Sequence, residues 1–226
     1  MFAKFGMALG LVILSNNFAF AEVPPPTAGK VHQVFDIIRE GSKIGTTVFD
    51  IERKGDITSV KVATNIVVTV MFIEAYRYVH NATETWKGTQ LTAFKSQTDD
   101  NGTKHSVSVT GAAAAPAAAA SAAPEKLILD ANGKKSDASK MLVPASLWNK
   151  DFSKQAEFFD PKDGQKLAVQ VKDLGDETIT VHGAPRKVRH IKLAGDLERD
   201  LWFEGDTLIR MKLIGSDKSI VISELQ

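Results

Sequence analysis

The stretch "VFDIIREGSKIGTTVFDIERKGDITSVKVATNI", residues 34–66, decides the fold. Val, Ile, Phe and Thr fill its three runs, and two short polar clusters, Glu40-Gly41-Ser42 and Lys54-Gly55-Asp56, separate them. β-Branched and aromatic side chains suit a pleated surface, and clusters of this kind supply hairpin turns. Turns of two to four residues cannot join parallel neighbours, so the three runs are expected to pair antiparallel.

The same punctuation continues to the C-terminus in "DANGKK", "DPKDGQK", "LGDET", "HGAPRK", "FEGDTL" and "GSDKS". Strands arriving about every 8–12 residues, with no helical pattern between them, indicate an all-β protein. Alternation supports this. Leu167, Val169 and Val171 oppose Gln170 and Lys172, and Ile209, Met211 and Leu213 oppose Arg210 and Lys212. One face meets a core and the other meets water. The expected fold is one antiparallel meander of about ten to thirteen strands. It should curve strongly into a half-barrel, open barrel or two-layer sandwich, with Pro144–Phe152 ("PASLWNKDF") crossing one end.

The N-terminus has the form of a secretory signal. Lys4 precedes the apolar run Met7–Leu14, and Ala19 and Ala21 occupy small-residue positions before a cut expected after Ala21. The run is far shorter than the roughly 20 residues that span a bilayer. Residues 22–30 read as a Pro-rich leader and 31–226 as a single β-domain, periplasmic or extracellular, with no transmembrane segment once cleaved. No cysteine occurs, which removes disulfides, thiol catalysis, thiolate metal sites and lipid modification of an N-terminal cysteine. The chain has 28 basic and 27 acidic residues, and a balanced charge gives no case for nucleic acid or an anionic membrane as main partner. "GAAAAPAAAASAAP", residues 111–124, offers no large side chain to bury and is expected to be a disordered loop between strands.

Two segments invite functional readings. "IVVTVMFI", Ile66–Ile73, is apolar on both faces except Thr69 and reads as one strand. It is covered either by the rest of the fold or by a partner or lipid chain, and Val68, Val70 and Phe72 are its candidate interaction residues. "ETWKGTQLTAFKSQTDDNG", residues 84–102, resembles the later "ERDLWFEGDTLIRMKLIGSDKS" and suggests a repeated hairpin in which Trp86 matches Trp202 and Glu84 matches Asp200. Asn101-Gly102 suits a type I′ turn with Asp99 or Asp100 capping it, and "DDNGTKHSVSVT" supplies no later acid to complete a calcium loop.

Together with "SLWN" after "VPA", "LAGDLERDLWFEGDTLIRMKL" and the "GSDKSIVISEL" ending, these segments resemble an uncharacterised bacterial exported family, domain of unknown function six-one-three-four. The resemblance spans roughly residues 31–225. It implies a β-rich exported protein and brings no activity, substrate or catalytic residue. Members carry Asp-Gly-Ser in the last turn, where this chain has Asp217-Lys218-Ser219.

Catalytic motifs are missing from the sequence. The five histidines form no metal spacing, no nucleophile elbow occurs, and "GSKIG" lacks the strand-loop-helix context of a phosphate loop. No catalytic residue, metal or cofactor is expected. Tyr76, Tyr78, Trp86, Trp148 and Trp202 are the candidate ligand-binding residues, since aromatics that do not fill a core line cavities. The expected function is non-catalytic: binding or carrying a hydrophobic small molecule or lipid. The alternative is a structural or protein-interaction role in the cell envelope, and a hydrolase using Glu84 with Asp200 is the remote one.

Overall fold

The computed structural model describes residues 29–111, 126–154, 157–215 and 217–226. The signal segment, nearly all of the leader and the Ala-rich segment lie outside these residues. Six strands follow one another as hairpins: β1 (Gly29–Arg39), β2 (Ser42–Lys54), β3 (Ile57–Val70), β4 (Ile73–Lys87), β5 (Gln90–Asp100) and β6 (Thr103–Gly111). β7 (Lys126–Ala131) and β8 (Lys134–Ser139) extend the series, so the Ala-rich segment joins two paired neighbours. After three short strands, β9 (Leu142–Pro144), β10 (Glu157–Phe159) and β11 (Lys166–Leu167), the hairpins resume. They are β12 (Val169–Val181), β13 (Ala184–Gly195), β14 (Arg199–Glu204), β15 (Thr207–Ile214) and β16 (Ile220–Leu225).

β16 pairs antiparallel with β1, from Phe35 opposite Leu225 to Arg39 opposite Val221. That pairing merges the two series into one 13-stranded sheet in the order β12-β13-β14-β15-β16-β1-β2-β3-β4-β5-β6-β7-β8. β12 and β8 remain its edges, so the sheet does not close. Twist accumulated over so many strands must curl it.

Alternation decides what the curled sheet encloses. Phe35, Phe49, Ile51, Val60, Val62, Phe94, Val109, Leu129, Leu193, Leu201 and Phe203 are buried in one cluster on the inner face. The face is covered by the chain itself. Leu142, Val143, Leu147, Trp148, Phe152, Phe158 and Phe159, from the segment carrying β9 and β10, join the same cluster. Phe159 meets Phe94 edge-on at 5.0 Å, and Phe152 lies 6.1 Å from Phe203. Edge-to-face rings fill such an interior without leaving polar atoms to satisfy. The expected crossing of Pro144–Phe152 over one end is seen, continued by a 3-10 turn at Lys150–Lys154.

Three details differ from expectation. Ile66–Ile73 is not a single strand: β3 ends at Val70, Met71 and Phe72 form the turn, and Ile73 opens β4. No Gly, Asn, Asp or Pro marks that turn, so its position was invisible to turn chemistry. Secondly, the repeated hairpins align one residue off the expected match. Trp86 stands opposite Leu91 and Phe203 opposite Leu208, each just after a β-bulge and before a glycine of φ near +58°, Gly88 (φ 57) and Gly205 (φ 59). Trp86 therefore corresponds to Phe203 and Glu84 to Leu201. Thirdly, the bulge at Trp202/Phe203 puts Ile209 in a separate small cluster with Val181 and Val188, packed by Trp202, and not on the face of Met211. A bulge inserts one residue and inverts the alternation beyond it. At Asn101 and Gly102, with φ 50 and 91, the type I′ turn forms as expected, and Asp99 Oδ1 accepts from the Gly102 amide at 2.8 Å.

Candidate functional site

Both ends of the inner face hold polar groups. β4 supplies most of them, because Tyr76, Tyr78, His80, Ala82, Glu84 and Trp86 alternate onto that face along one strand. At the end carrying Gly88 and Gly205, Glu84 is 1 % exposed among apolar neighbours. Its Oε2 accepts from the indole N–H of Trp86 at 2.8 Å and of Trp148 at 2.9 Å. The two rings meet edge-on, 6.2 Å apart. Burial raises the pKa of this carboxyl, and the nearby Ser146, Trp148 and Trp86 side chains lower it in part. Ser146 does not reach hydrogen-bond geometry with Oε1, which has no partner among the described residues.

In front of this knot opens a cavity of about 720 Å³. Trp86, Trp148, Leu147, Phe152 and Ile51 form its apolar wall, Gln33, Arg53, Thr58 and Ser146 are among its polar points, and Lys150, Asp151 and Asp206 also line it. The Arg53 guanidinium lies over the Trp148 ring, 5.9 Å from its centroid, and no carboxylate lies within ion-pair distance of it among the described residues. Gln33 is buried, and its Oε1 also lacks a donor among the described residues. A volume of this size and a few converging polar groups on an apolar wall suit a small ligand. Lys150 and Asp206 form an ion pair of 2.6 Å at the cavity, tying the crossing segment to the β14–β15 turn.

At the opposite end, the Tyr76 hydroxyl donates to Asp100 at 2.8 Å. Burial pushes the phenols of Tyr76 and Tyr78 well above the usual range. His80, next inward, bonds Thr98 at 2.8 Å, and burial lowers its pKa to about 4. Trp202 is on the outer face of β14. It stacks on His190 at 4.7 Å and donates to Glu177 at 2.5 Å, while His190 also bonds Asp200 at 2.9 Å. The five expected aromatics thus divide three ways: Trp86 and Trp148 share the cavity, Tyr76 and Tyr78 sit at the far end, and Trp202 faces outward. Glu84 and Asp200 lie on opposite faces, which overturns them as a catalytic pair. Val68 is half-buried and Val70 and Phe72 are exposed on the β3–β4 hairpin, which runs on past the Tyr76 end, where Val68 pairs with Tyr76.

Sequence reasoning missed Gln33, Arg53 and Ser146 as cavity residues, and treated Glu84 as part of a hairpin unit. The available signal was a polar residue in inward phase, since Glu84 alternates with Ala82 and Trp86. No group of three metal-ligating side chains occurs among the described residues, and no helix there is long and apolar enough to cross a membrane.

Fold and cavity together define an open, barrel-like antiparallel β-protein filled by its own chain, with a ligand-sized hollow at one end. The chain belongs to the family described as Domain of unknown function (DUF6134), which matches residues 35–223. Among solved structures it is similar to a crystal structure described as a beta-barrel-like protein of domain of unknown function DUF1849 from Brucella abortus. The TM-score is 0.52 at 10 % identity, covering 87 % of this chain and 95 % of that one. At that identity the likeness concerns the fold. No curated protein matches the chain. Neither family description carries an enzymatic activity.

Proposed function

We propose that this is an exported, non-catalytic envelope protein that binds a small amphipathic molecule, an apolar body with an anionic head, in the Trp86–Trp148 cavity. The observation that carries this reading is the Arg53 guanidinium standing without a carboxylate partner over Trp148 at the edge of an apolar hollow. An arginine so placed takes a carboxylate or phosphate by charge-assisted hydrogen bonds, while the indoles take the apolar body. Gln33 Oε1, buried and lacking a donor, offers a further point for a ligand hydroxyl or N–H. Because the centre of the sheet is filled by the β9–β10 segment, the cargo is small and sits at the end, not along the length of the barrel. Export rests on Lys4, the Met7–Leu14 run and the small residues at Ala19 and Ala21.

Tryptophan fluorescence and native mass spectrometry test it, with dodecanoate and dodecanol as probes. Dodecanoate is expected to bind and change the emission, and Arg53→Ala to weaken it about tenfold or more while leaving dodecanol unchanged. A clean polypeptide mass over several preparations, with no response to either probe, would remove the reading. The second reading, an interaction component that docks through the Val68, Val70 and Phe72 hairpin, is favoured by the exposure of that hairpin.

A further inference from the structure

We propose that the β3–β4 hairpin tip is a finger that inserts into the surface of a lipid bilayer. This deepens the interaction reading by naming the occupant and does not depend on the ligand cavity.

The finger stands clear of the sheet. β2 stops pairing with β3 at Gly45 opposite Ile66, and β5 stops pairing with β4 at Asp100 opposite Tyr78. Beyond these points no other described strand pairs with β3 or β4; Asn101 and Asp100 still bond Arg77 and Tyr76, and past Tyr76 the two run on as a two-stranded ribbon. At its end Val70, Met71, Phe72 and Ile73 are 52 %, 86 %, 101 % and 69 % exposed. They form the most exposed run of large apolar side chains among the described residues.

The turn itself is unfavourable in water on two counts. Met71 and Phe72 both take positive φ, 49 and 66, as a type I′ turn requires. The other turns with two successive positive φ values here are Glu40-Gly41, Asn101-Gly102, Asn132-Gly133 and His182-Gly183, each with glycine second. Among the described residues only the β3–β4 turn holds a large side chain at both positions, so it gives up turn chemistry and solubility together. An observed strain of this kind points to use of the side chains.

Three features favour lipid over a protein partner. The tip is convex and apolar all round, and its four side chains offer on the order of 500 Å², below the roughly 800 Å² that each partner contributes to a stable protein interface. Its apolar length is limited. Thr69 and Glu74 face one another two residues from the turn, at about 7 Å by strand rise, within the roughly 5–10 Å depth of interfacial insertion. At the root, Arg77 and Glu74 form an ion pair of 3.8 Å, and Tyr76 follows where headgroups would lie, a level that tyrosines favour.

The chain has no cysteine, so a single thiol can carry a polarity-sensitive fluorophore. The full chain would be labelled at Thr69→Cys on the finger or at Lys54→Cys on the opposite end. Vesicles of phosphatidylethanolamine with one quarter phosphatidylglycerol are then added. The label at 69 is expected to brighten roughly threefold and to be quenched by nitroxides placed shallowly in the lipid, with the label at 54 unchanged. Met71→Asn with Phe72→Gly, which restores favoured turn residues, should abolish the response and raise Tm by a few degrees. Phe72→Ser, a single change outside the core, should weaken vesicle binding about tenfold.

Each contrary outcome is separately visible. No response at 69, or a response that survives both variants, overturns the proposal. A response at 54 alone would overturn the proposal and put the lipid contact at the opposite end. Brightening without vesicles that grows with protein concentration would make the tip a contact between copies. Brightening only with added envelope proteins would keep an interacting tip and discard the lipid.

Discussion

The β4–β5 and β14–β15 hairpins share their register, their bulge and their glycine turn, yet they meet the interior in opposite ways. In the second, Leu201 is 0 % exposed and Phe203 packs on Phe152, an arrangement that satisfies itself by contact alone. In the first, the corresponding positions are Glu84 and Trp86, and a carboxyl with two indole N–H donors replaces the leucine. A buried polar knot gains little over a well-packed apolar one and is costly when incomplete. The knot lies where the crossing segment meets the cavity. It fixes the Trp148 ring, and hence the cavity wall beneath Arg53.

Exchanging the two chemistries should have the largest effect. Leu201→Glu puts a carboxyl where no donor waits, so a loss of at least about 4 kcal/mol, or failure to fold, is expected in urea unfolding. The reverse change, Glu84→Leu, orphans the indole donors of Trp86 and Trp148 and should cost about 2–5 kcal/mol. Adding Trp148→Phe to Glu84→Leu should cost much less than Trp148→Phe alone. Additive losses in that cycle would break the idea of a coupled knot.

Titration sharpens the comparison, because the polar residues of β4 shift in opposite senses. Burial lowers the folded pKa of His80 to about 4, from the 6.5 usual for histidine. The unfolded chain therefore binds the proton first. Stability is full above pH 6.5 and falls by about 2–3 kcal/mol as pH drops toward 4. His80→Gln should flatten that slope in unfolding measured across pH. Burial raises the pKa of Glu84 above the 4.5 usual for glutamate, so the folded state holds the proton longer. Its contribution is complete at acid pH and declines as pH rises above 4.5 toward the folded value. Glu84→Gln keeps an acceptor for the indoles and removes this decline. It should change stability by under about 1 kcal/mol near pH 5 and gain on the wild type at higher pH. An unchanged alkaline slope would mean that Glu84 is ionised in the fold.

Much of the architecture was legible because strand formation and turn formation are local. Val, Ile and Thr runs between Gly-containing clusters gave hairpins, and Asn101-Gly102 forms its expected turn. The site was legible only in part. Trp86 and Trp148 were named, but nothing local says that Trp148 donates to a carboxylate 64 positions earlier in the chain. The equivalence of Trp86 with Phe203 was hidden by a one-residue offset that a visual match of tryptophans prefers. The Met71-Phe72 turn was hidden because its residues are those of a strand.

By itself the sequence determined an all-β meander of hairpins, the placement of most turns and the absence of thiol chemistry, since each depends on neighbouring residues and backbone preference. Only the tertiary structure decided that the last strand pairs with the first, that the chain fills its own barrel, and that Glu84 turns inward while Asp200 turns out. Those outcomes follow from register, bulges and the competition among distant apolar segments for one inner face, which no local pattern encodes.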